Sequence, residues 1–437
     1  MTNGFTTRAV GRQFRFARRR AAALLFSAFA ALPLLTATPV FAGQASCAPG
    51  NAGLTLPRGF CATVFADDVG APRHLVASAD GTLYVNNSGR DGRPSLLALK
   101  DTKGSGRADV IQKFGPSGAG GTGIGIYKDW LYVEIGDEIV RYKLKSGDIA
   151  PKGQPEVVVT KLPLDGDHRP RPFAITPKGD LFVDLGSATN SCQRDNRAED
   201  SPGIDPCVEL ETRAGIWRFD ADQKDQIFSS AKRFAAGLRN AEGIDFDADG
   251  RIFATQHGRD QLYENWPKLY SSERGSELPA EELVEVRKNG EYGWPYCYYD
   301  GVQKKLVLAP EYGGDGGKSV GRCADKISPV AAFPAHWAPN DLKIYRAEQF
   351  PESYRGGAFI AFHGSWNRSF GGQQGYNVVF QPLKDGKASG PYIVFADGFR
   401  NGTGTEHRPT GLAVGPDGAL YVADDAAGRI WRIVYNG

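Results

Sequence analysis

The sequence contains six histidines, and one of them, His168, directly follows an aspartate, Asp167. An imidazole titrates near neutral pH and makes a good general base, and a neighbouring carboxylate can orient its ring and stabilise its cation. We therefore expect His168 to accept a proton in catalysis, although a lone histidine is more often structural. His363 is the rival base, because the segment 362–368 places it between an aromatic residue and Arg368.

Several basic residues precede apolar segments that recur along the chain. They are Arg171 before one segment, Arg239 with Asn240 before the next, and His407 with Arg408 before the last. Cationic side chains that converge repel each other unless an anion lies between them, and guanidinium groups bond carboxylates in a bidentate manner. This pattern predicts a ligand with several carboxylates or phosphates. The alternative is that each arginine pairs with a nearby acidic residue at the surface.

The recurring segment is an apolar stretch, a polar turn and an alternating strand that usually carries a central aromatic residue. Its six strands are at 83–85, 131–133, 181–183, 252–254, 359–361 and 420–422. Each copy predicts a β-hairpin, which cannot bury its apolar face alone, so that the copies must stack. Radial stacking predicts an all-β fold, a six-bladed β-propeller of four-stranded antiparallel blades. A β-sandwich is the alternative.

The longest gap between copies follows the fourth one and contains Cys297 and Cys323. We interpret this gap as an insertion near residues 265–335 within a single propeller domain that spans residues 43–437. A seventh blade would be the other way to fill it.

Ligands of propellers usually lie where the innermost strands open onto the central channel, and the polar residues above fall at such strand starts. The segment 256–260 directly follows a predicted inner strand. Its glycine, Gly258, allows close approach of the backbone to a ligand or ion, and backbone carbonyls are good calcium ligands.

Residues 1–42 have the pattern of a secretory signal peptide. Six arginines precede the apolar stretch 21–35, and Ala42 suits a cleavage site. A membrane anchor and a lipidated Cys47 are the alternatives. We therefore expect a periplasmic or secreted protein without a later membrane span. Loss of the six arginines would turn the formal net charge of +2 into about −4, which does not favour a nucleic-acid partner.

The sequence contains six cysteines, all after the predicted signal peptide, and an even number in an exported chain predicts disulfides. Sequence proximity suggests the pairs Cys47–Cys61, Cys192–Cys207 and Cys297–Cys323. A zinc site is disfavoured, because the chain has no CxxC pair. It also has no CxxCH haem motif, so that electrons would have to leave to a separate acceptor, a cytochrome or a quinone.

The order of these motifs resembles the soluble quinoprotein glucose/sorbosone dehydrogenases, over nearly all of the chain after the signal peptide. The matching motifs are Gly166-Asp167-His168, Gly237-Leu238-Arg239-Asn240 with Gly243, Gly258-Arg259, Tyr292-Gly293-Trp294-Pro295, and Arg408 before Pro416-Asp417-Gly418. Members of this family are six-bladed propellers that use pyrroloquinoline quinone (PQQ) and calcium. The resemblance therefore implies a sugar oxidoreductase.

The resemblance also implies a role for each matching residue. His168 would take the proton of the anomeric hydroxyl while hydride moves to PQQ, and the backbone carbonyls of Gly258 and Arg259 would bind Ca²⁺. The residues implied at the cofactor are Asp167, Arg239, Asn240, His363, Arg368 and Arg408.

Two departures from the family bear on the substrate. The stretch 120–123 has no counterpart of the glutamine that glucose oxidisers carry in the second blade, and Arg368 stands near the place of their lysine. The sugar could therefore be sorbosone-like, another aldose or a pyranose. A calcium-dependent lactonase-like hydrolase and a non-catalytic propeller that binds a glycan or a protein are the competing functions.

Overall fold

Four repeated turns end in a glycine with a left-handed backbone in the computed structural model. Gly81, Gly179, Gly250 and Gly418 have φ between 82° and 87°. Residues with a Cβ rarely adopt this conformation, so these glycines favour tight turns between the two innermost strands of their blades. The structure describes residues 47–89, 93, 95–400 and 407–437, and the predicted signal peptide lies outside them.

Six antiparallel sheets stand in a ring, and their innermost strands contact one another in cyclic order. The predicted six-bladed propeller is confirmed, and each predicted hairpin forms the two innermost strands of one blade. From the channel outward, blades 1 to 3 contain the strands Pro72–Ala77, Leu83–Asn87, Ser95–Lys100 and Val110–Phe114; Ile124–Tyr127, Trp130–Ile135, Glu138–Lys143 and Glu156–Thr160; and Phe173–Ile175, Asp180–Leu185, Gly215–Asp220 and Arg233–Ala236.

Blades 4 to 6 follow the same order, and the first described strand completes the last blade. Their strands are Ile244–Phe246, Ile252–Gln256, Glu281–Val286 and Ala331–Phe333; Pro339–Ile344, Ala358–Phe362, Asn377–Gln381 and Ile393–Ala396; and Pro409–Val414, Leu420–Asp424, Arg429–Tyr435 and Phe60–Ala66. Strand Phe60–Ala66 pairs antiparallel with Arg429–Tyr435 and so closes the ring between the two ends of the propeller sequence.

Most of the remaining structure lies in the loops of blades 3 and 4. Blade 4 carries the helices Leu262–Asn265 and Ser272–Glu277, and a hairpin of Cys297–Asp300 and Lys305–Leu308. Two-residue strands, Gln226–Ile227 and Gly290–Glu291, add in parallel to the edges of blades 2 and 3, and Leu383–Lys384 pairs with Lys387–Ala388. The 3-10 helices are Pro49–Gly53, Val208–Glu211, Ser230–Lys232, Pro310–Tyr312, Gly321–Cys323 and Glu352–Tyr354.

The three disulfides predicted from sequence proximity are present as Cys47–Cys61, Cys192–Cys207 and Cys297–Cys323. The sulfur of Cys47 is therefore engaged, which argues against a lipid on this residue. Among the described residues, no helix is long and apolar enough to cross a membrane.

Phe60 packs the closing strand into an aromatic cluster. The ring of Phe60 lies edge-on to Phe350 and Phe395, with centroid distances of 4.8 and 4.9 Å, in the core between blades 5 and 6. We expect Phe60→Ala to lower the free energy of unfolding by about 3 to 5 kcal/mol, because it leaves a cavity in this cluster. Urea denaturation measures the effect. The control Val302→Ala, at a 59% exposed position, should change stability by about 0.5 kcal/mol or less.

Candidate active site

One cavity of about 440 Å³ opens at the end of the central channel where the innermost strands begin. The segments before the inner strands of blades 3, 4 and 6 line it, and so do the segments after the second strands of blades 4 and 5. The predicted site residues in its wall are Asp167, His168, Arg239, Asn240, Gly258, His363 and Arg408. The polar residues that precede the inner strands therefore converge on one cavity, as the repeat pattern predicted.

His168 is held by the strand end of its own blade. Its Nδ1 lies 2.9 Å from the carbonyl oxygen of Ser187, which can only accept, so Nδ1 carries the proton and Nε2 keeps its lone pair. Gly186 leaves the room for this arrangement, since a Cβ there would lie 2.6 Å from the Cβ of His168. Burial, reinforced by the charge of Arg239, lowers the pKa of His168 well below 6.5. The ring is therefore neutral and is a hydrogen-bond acceptor at Nε2.

Asp167 does not orient His168. Its carboxylate instead accepts from Arg197, whose Nε lies 3.1 Å from Oδ2. Arg197 belongs to the loop that the disulfide Cys192–Cys207 closes, and it also contacts Asp260 at 3.1 Å. Sequence reasoning missed Arg197 because it lies within a loop rather than at a repeated strand start.

Arg239 is almost completely buried, and the protein itself satisfies its guanidinium. It donates to Asp260 Oδ2 at 2.9 Å, to the backbone and side-chain oxygens of Asn190 at 2.9 Å each, and to the carbonyl of Gly258 at 3.1 Å. Despite the cost of burial, the charges of Arg239 and Arg197 hold the pKa of Asp260 far below its usual range. An external anion is thus not needed to neutralise Arg239, contrary to the premise of the sequence argument.

An ion pair crosses the axis of the propeller beside the cavity. Arg73 in blade 1 contacts Glu242 at the start of blade 4 at 2.5 Å, and these blades stand opposite each other in a ring of six. Arg73 also contacts Asp425 at 2.9 Å, and Asp425 accepts from Nε2 of His363 at 2.8 Å. Although burial opposes it, the partners His363 and Arg73 lower the pKa of Asp425 to about 2. The carboxylate is therefore ionised and fixes the proton of His363 on Nε2.

Arg408 differs from the other arginines of the cavity. Its guanidinium donates to the backbone carbonyls of His363 at 3.0 Å and Gly364 at 2.6 Å, and no carboxylate among the described residues lies within 4.0 Å. Asn240, in the same cavity, has a buried Oδ1 without a hydrogen-bond partner among them. Arg408 is therefore the arginine of the cavity wall that no described carboxylate neutralises.

The remaining predicted residues, Arg259, Arg368 and Arg171, do not line the cavity. The guanidinium of Arg259 is buried against Glu311 at 2.5 Å, and neither residue lines the cavity. Arg368 also lies outside the cavity wall, where it donates to the carbonyls of Gly372 and Ser276. Arg171 is completely buried and donates to carbonyls of residues 168–170, which ties down the turn that carries His168.

The carboxylates of the cavity do not form a ready metal cage. Glu242 is paired with Arg73, and Asp260 with Arg239, while Glu281 accepts from the backbone N–H groups of Gly258 at 2.8 Å and Ala338 at 3.0 Å. Among the described residues, three acidic, histidine or cysteine ligand atoms converge only at a cluster that includes the two cysteines of a disulfide.

Fold and cavity together define a six-bladed propeller with a histidine- and arginine-lined site at the mouth of its channel. The sequence matches the TrAA12-like family over residues 54–436, and the chain therefore belongs to this family. A PQQ-dependent pyranose dehydrogenase of Coprinopsis cinerea is 28% identical over 262 residues. This alignment covers 51% of the chain and 34% of that enzyme, so the chain matches about a third of the enzyme's length.

Solved structures show the same fold. The PQQ domain of the Coprinopsis cinerea pyranose dehydrogenase, in its holo form, superposes with a TM-score of 0.69 at 21% identity, covering 87% of this chain and 97% of that one. A calcium structure of a Trichoderma reesei carbohydrate-active enzyme of family AA12 gives 0.69 at 19% identity, covering 88% and 97%. The family resemblance inferred from the sequence motifs is confirmed.

The environment of His168 predicts its protonation state. We expect the ring to remain neutral, with the proton on Nδ1, at pH 6, where a solvent-exposed imidazole with a pKa near 6.5 is mostly charged. Nitrogen-15 NMR of histidine-labelled protein measures both tautomer and charge, and His168→Gln identifies the signal. A charged ring at pH 6, or a proton on Nε2, would contradict the assignment.

Proposed function

We propose that the protein is a PQQ-dependent oxidoreductase that oxidises a sugar at its anomeric carbon. The observation that carries the proposal is the combination, in one cavity, of Arg408 without a carboxylate partner and His168 with a free Nε2. The first calls for an anionic ligand, and the second can remove a proton from a hydroxyl group. Membership of the TrAA12-like family and the named activity of the Coprinopsis cinerea relative support the same reading.

The residues of the cavity fit PQQ, a planar tricarboxylate. Arg408 offers a guanidinium that no carboxylate of the described residues occupies, and Asn240 in the same wall would offer an amide N–H as a donor to an oxygen of the cofactor. Asp260, Asn190 and Gly258 take four of the five N–H groups of Arg239, so that this residue would hold the cofactor with the one N–H left on Nη1. When bound, PQQ would supply the acceptor for two electrons, and the protein would contribute orientation and charge.

His168 would act as the general base. Ser187 keeps the proton on Nδ1, so that the lone pair of Nε2 would be available to a substrate in the cavity. The lowered pKa keeps the ring unprotonated over the neutral range, and Asp260 offers a carboxylate charge that stabilises the cation once the ring has taken the proton. His363 would serve as a hydrogen-bonding residue, since Asp425 fixes its Nε2 proton.

Calcium is the second proposed cofactor, and the calcium structure of the Trichoderma reesei AA12 enzyme supports it. The carbonyl of Gly258 faces the cavity but already accepts from Arg239, while Arg259 lies outside the wall. The described carboxylates of the cavity are engaged with other partners and do not form a calcium site by themselves. The ion would therefore need oxygens of the bound cofactor in addition to the carbonyls of Gly258 and Arg259.

The substrate would be a pyranose, another aldose or a sorbosone-like sugar, and the electrons would pass to a separate cytochrome or quinone. Three disulfides support a periplasmic or secreted location. A calcium-dependent lactonase would need carboxylates free to hold the metal, whereas Glu242, Asp260 and Glu281 are all engaged. No contact favours a purely non-catalytic role.

Loss of the guanidinium of Arg408 should weaken the binding of PQQ. We expect Arg408→Gln to raise the dissociation constant about 10- to 100-fold, the usual effect of removing a hydrogen bond to a charged group. The measurement is a titration of the protein with PQQ and Ca²⁺, followed by visible absorbance and by dye reduction with a panel of aldoses. Arg218→Gln, which removes a surface partner of Asp180, should leave binding unchanged. If the wild type takes up no quinone and oxidises no sugar, the proposed function is wrong.

Replacement of the base should separate turnover from cofactor binding. We expect His168→Gln to lower kcat by about 10²-fold or more and to leave PQQ affinity within about twofold. Because the pKa of His168 is lowered, the wild type should keep its activity as the pH falls from 7 to 6.5, and its rate should decline only at lower pH. Equal loss of cofactor binding and of turnover in the variant would instead assign His168 a structural role.

A further inference from the structure

The loop of residues 363–376, here called the rim loop, displays two aromatic side chains to solvent. Trp366 is 61% exposed and Phe370 is 52% exposed. Among all phenylalanine, tyrosine and tryptophan residues that the structure describes, these two are the exposed ones. Exposed apolar groups of this size are costly to a soluble protein, and when they gather in one place they mark a binding surface.

The rim loop is held in place by many hydrogen bonds. Ser365 and Gln374 pair where the two ends of the loop come together. The N–H of Ser365 donates to the carbonyl of Gln374 at 2.8 Å, and the Oγ of Ser365 accepts from the N–H of Gln374 at 2.7 Å. Asn367 anchors the loop to Asp260 at 2.7 Å. The backbone N–H of Phe370 donates to Ser276 Oγ at 2.9 Å. The two rings are therefore presented by a fixed backbone.

Arg368 acts as the clamp of this loop. Its Nε donates to the carbonyl of Gly372 at 3.0 Å, and its Nη1 to the carbonyls of Ser276 at 2.5 Å and Ala335 at 3.4 Å. All of these partners are backbone oxygens of the loop or of its neighbours. The arginine that the sequence assigned to the cofactor thus fixes the position of the aromatic residues between which it lies.

The position of the rim loop at the edge of the cavity indicates which kind of ligand it would bind. Trp366 belongs to the wall of the cavity, so that its ring continues the cavity onto the open surface. The cavity volume of about 440 Å³ lies near the lower end of the roughly 300–1,000 Å³ range of sites that enclose one small organic ligand. PQQ and one sugar ring would fill it. Any further part of a saccharide must then lie outside, where the rim loop stands.

We infer that Trp366 and Phe370 form a rim platform that binds the second and later sugar units of an oligosaccharide whose terminal unit enters the cavity. Flat aromatic faces pack against the apolar C–H faces of pyranose rings, and exposed tryptophan offers the largest such face. This inference rests on the proposed function only for the identity of the reacting sugar. Binding of the saccharide itself requires neither PQQ nor turnover.

The test compares glucose with its β-1,4-linked and α-1,4-linked trisaccharides. Calorimetry on the protein without PQQ should detect a trisaccharide, with a dissociation constant raised at least fivefold in Trp366→Ala and in Phe370→Ala. In the reconstituted enzyme, the ratio of kcat/KM for that trisaccharide to kcat/KM for glucose should fall at least fivefold in both variants. The control Val302→Ala, on an exposed hairpin turn, should change neither quantity.

The outcomes separate the two proposals. Trisaccharide binding that depends on Trp366, without oxidation of any sugar, would support the rim platform and reject the dehydrogenase. Sugar oxidation with an unchanged trisaccharide-to-glucose ratio in both variants would reject the platform. It would also be rejected if the two variants slowed only the reduction of a protein electron acceptor such as a cytochrome, because the rings would then bind that partner.

Discussion

A guanidinium group that is withdrawn from water requires a counter-charge or a full set of acceptors, and this requirement organises the cavity. Arg239 obtains Asp260, and Arg73 obtains Glu242 and Asp425. Each of these pairs joins segments from different blades or loops. The compensation of charge therefore also fixes the geometry of the walls, so that the site is preorganised rather than assembled by a ligand.

Two groups of the cavity, the guanidinium of Arg408 and Nε2 of His168, have no such partner among the described residues. Arg408 keeps a positive charge whose partners are backbone carbonyls, and His168 keeps a lone pair inside a buried wall. Among the described residues, four carboxylates pair with three arginines of the cavity and none pairs with Arg408, which supports the proposal that an anionic ligand binds there. The neutral imidazole of His168 lines the same cavity and is suited to the removal of a proton from a hydroxyl group.

The repeat pattern made the fold predictable, because a hairpin with one apolar face has few ways to bury it. The same register placed Arg239, Arg408 and His168 at strand starts that meet at the channel. Arg73 occupies the corresponding place in blade 1 and could have been found by aligning it with Arg171. Glu242 occupies the same repeat position in blade 4 and could have been found in the same way. Its pairing with Arg73 could not, because a contact between opposite blades leaves no periodic signal. The exposure of Trp366 is likewise set by tertiary packing alone.

The strand Phe60–Ala66 carries a consequence for the order of folding. It completes a sheet whose other strands, at residues 409–435, are synthesised after those of the other five blades. Strand Phe60–Ala66 can therefore pair with its neighbour only after the other blades have been made. Contacts with such a large separation along the chain are slow to form. The ring thus cannot close before the strands at residues 409–435 have been synthesised. Strand Phe60–Ala66 has no partner strand over that interval, and an unpaired strand is a site at which the unfinished chain can aggregate.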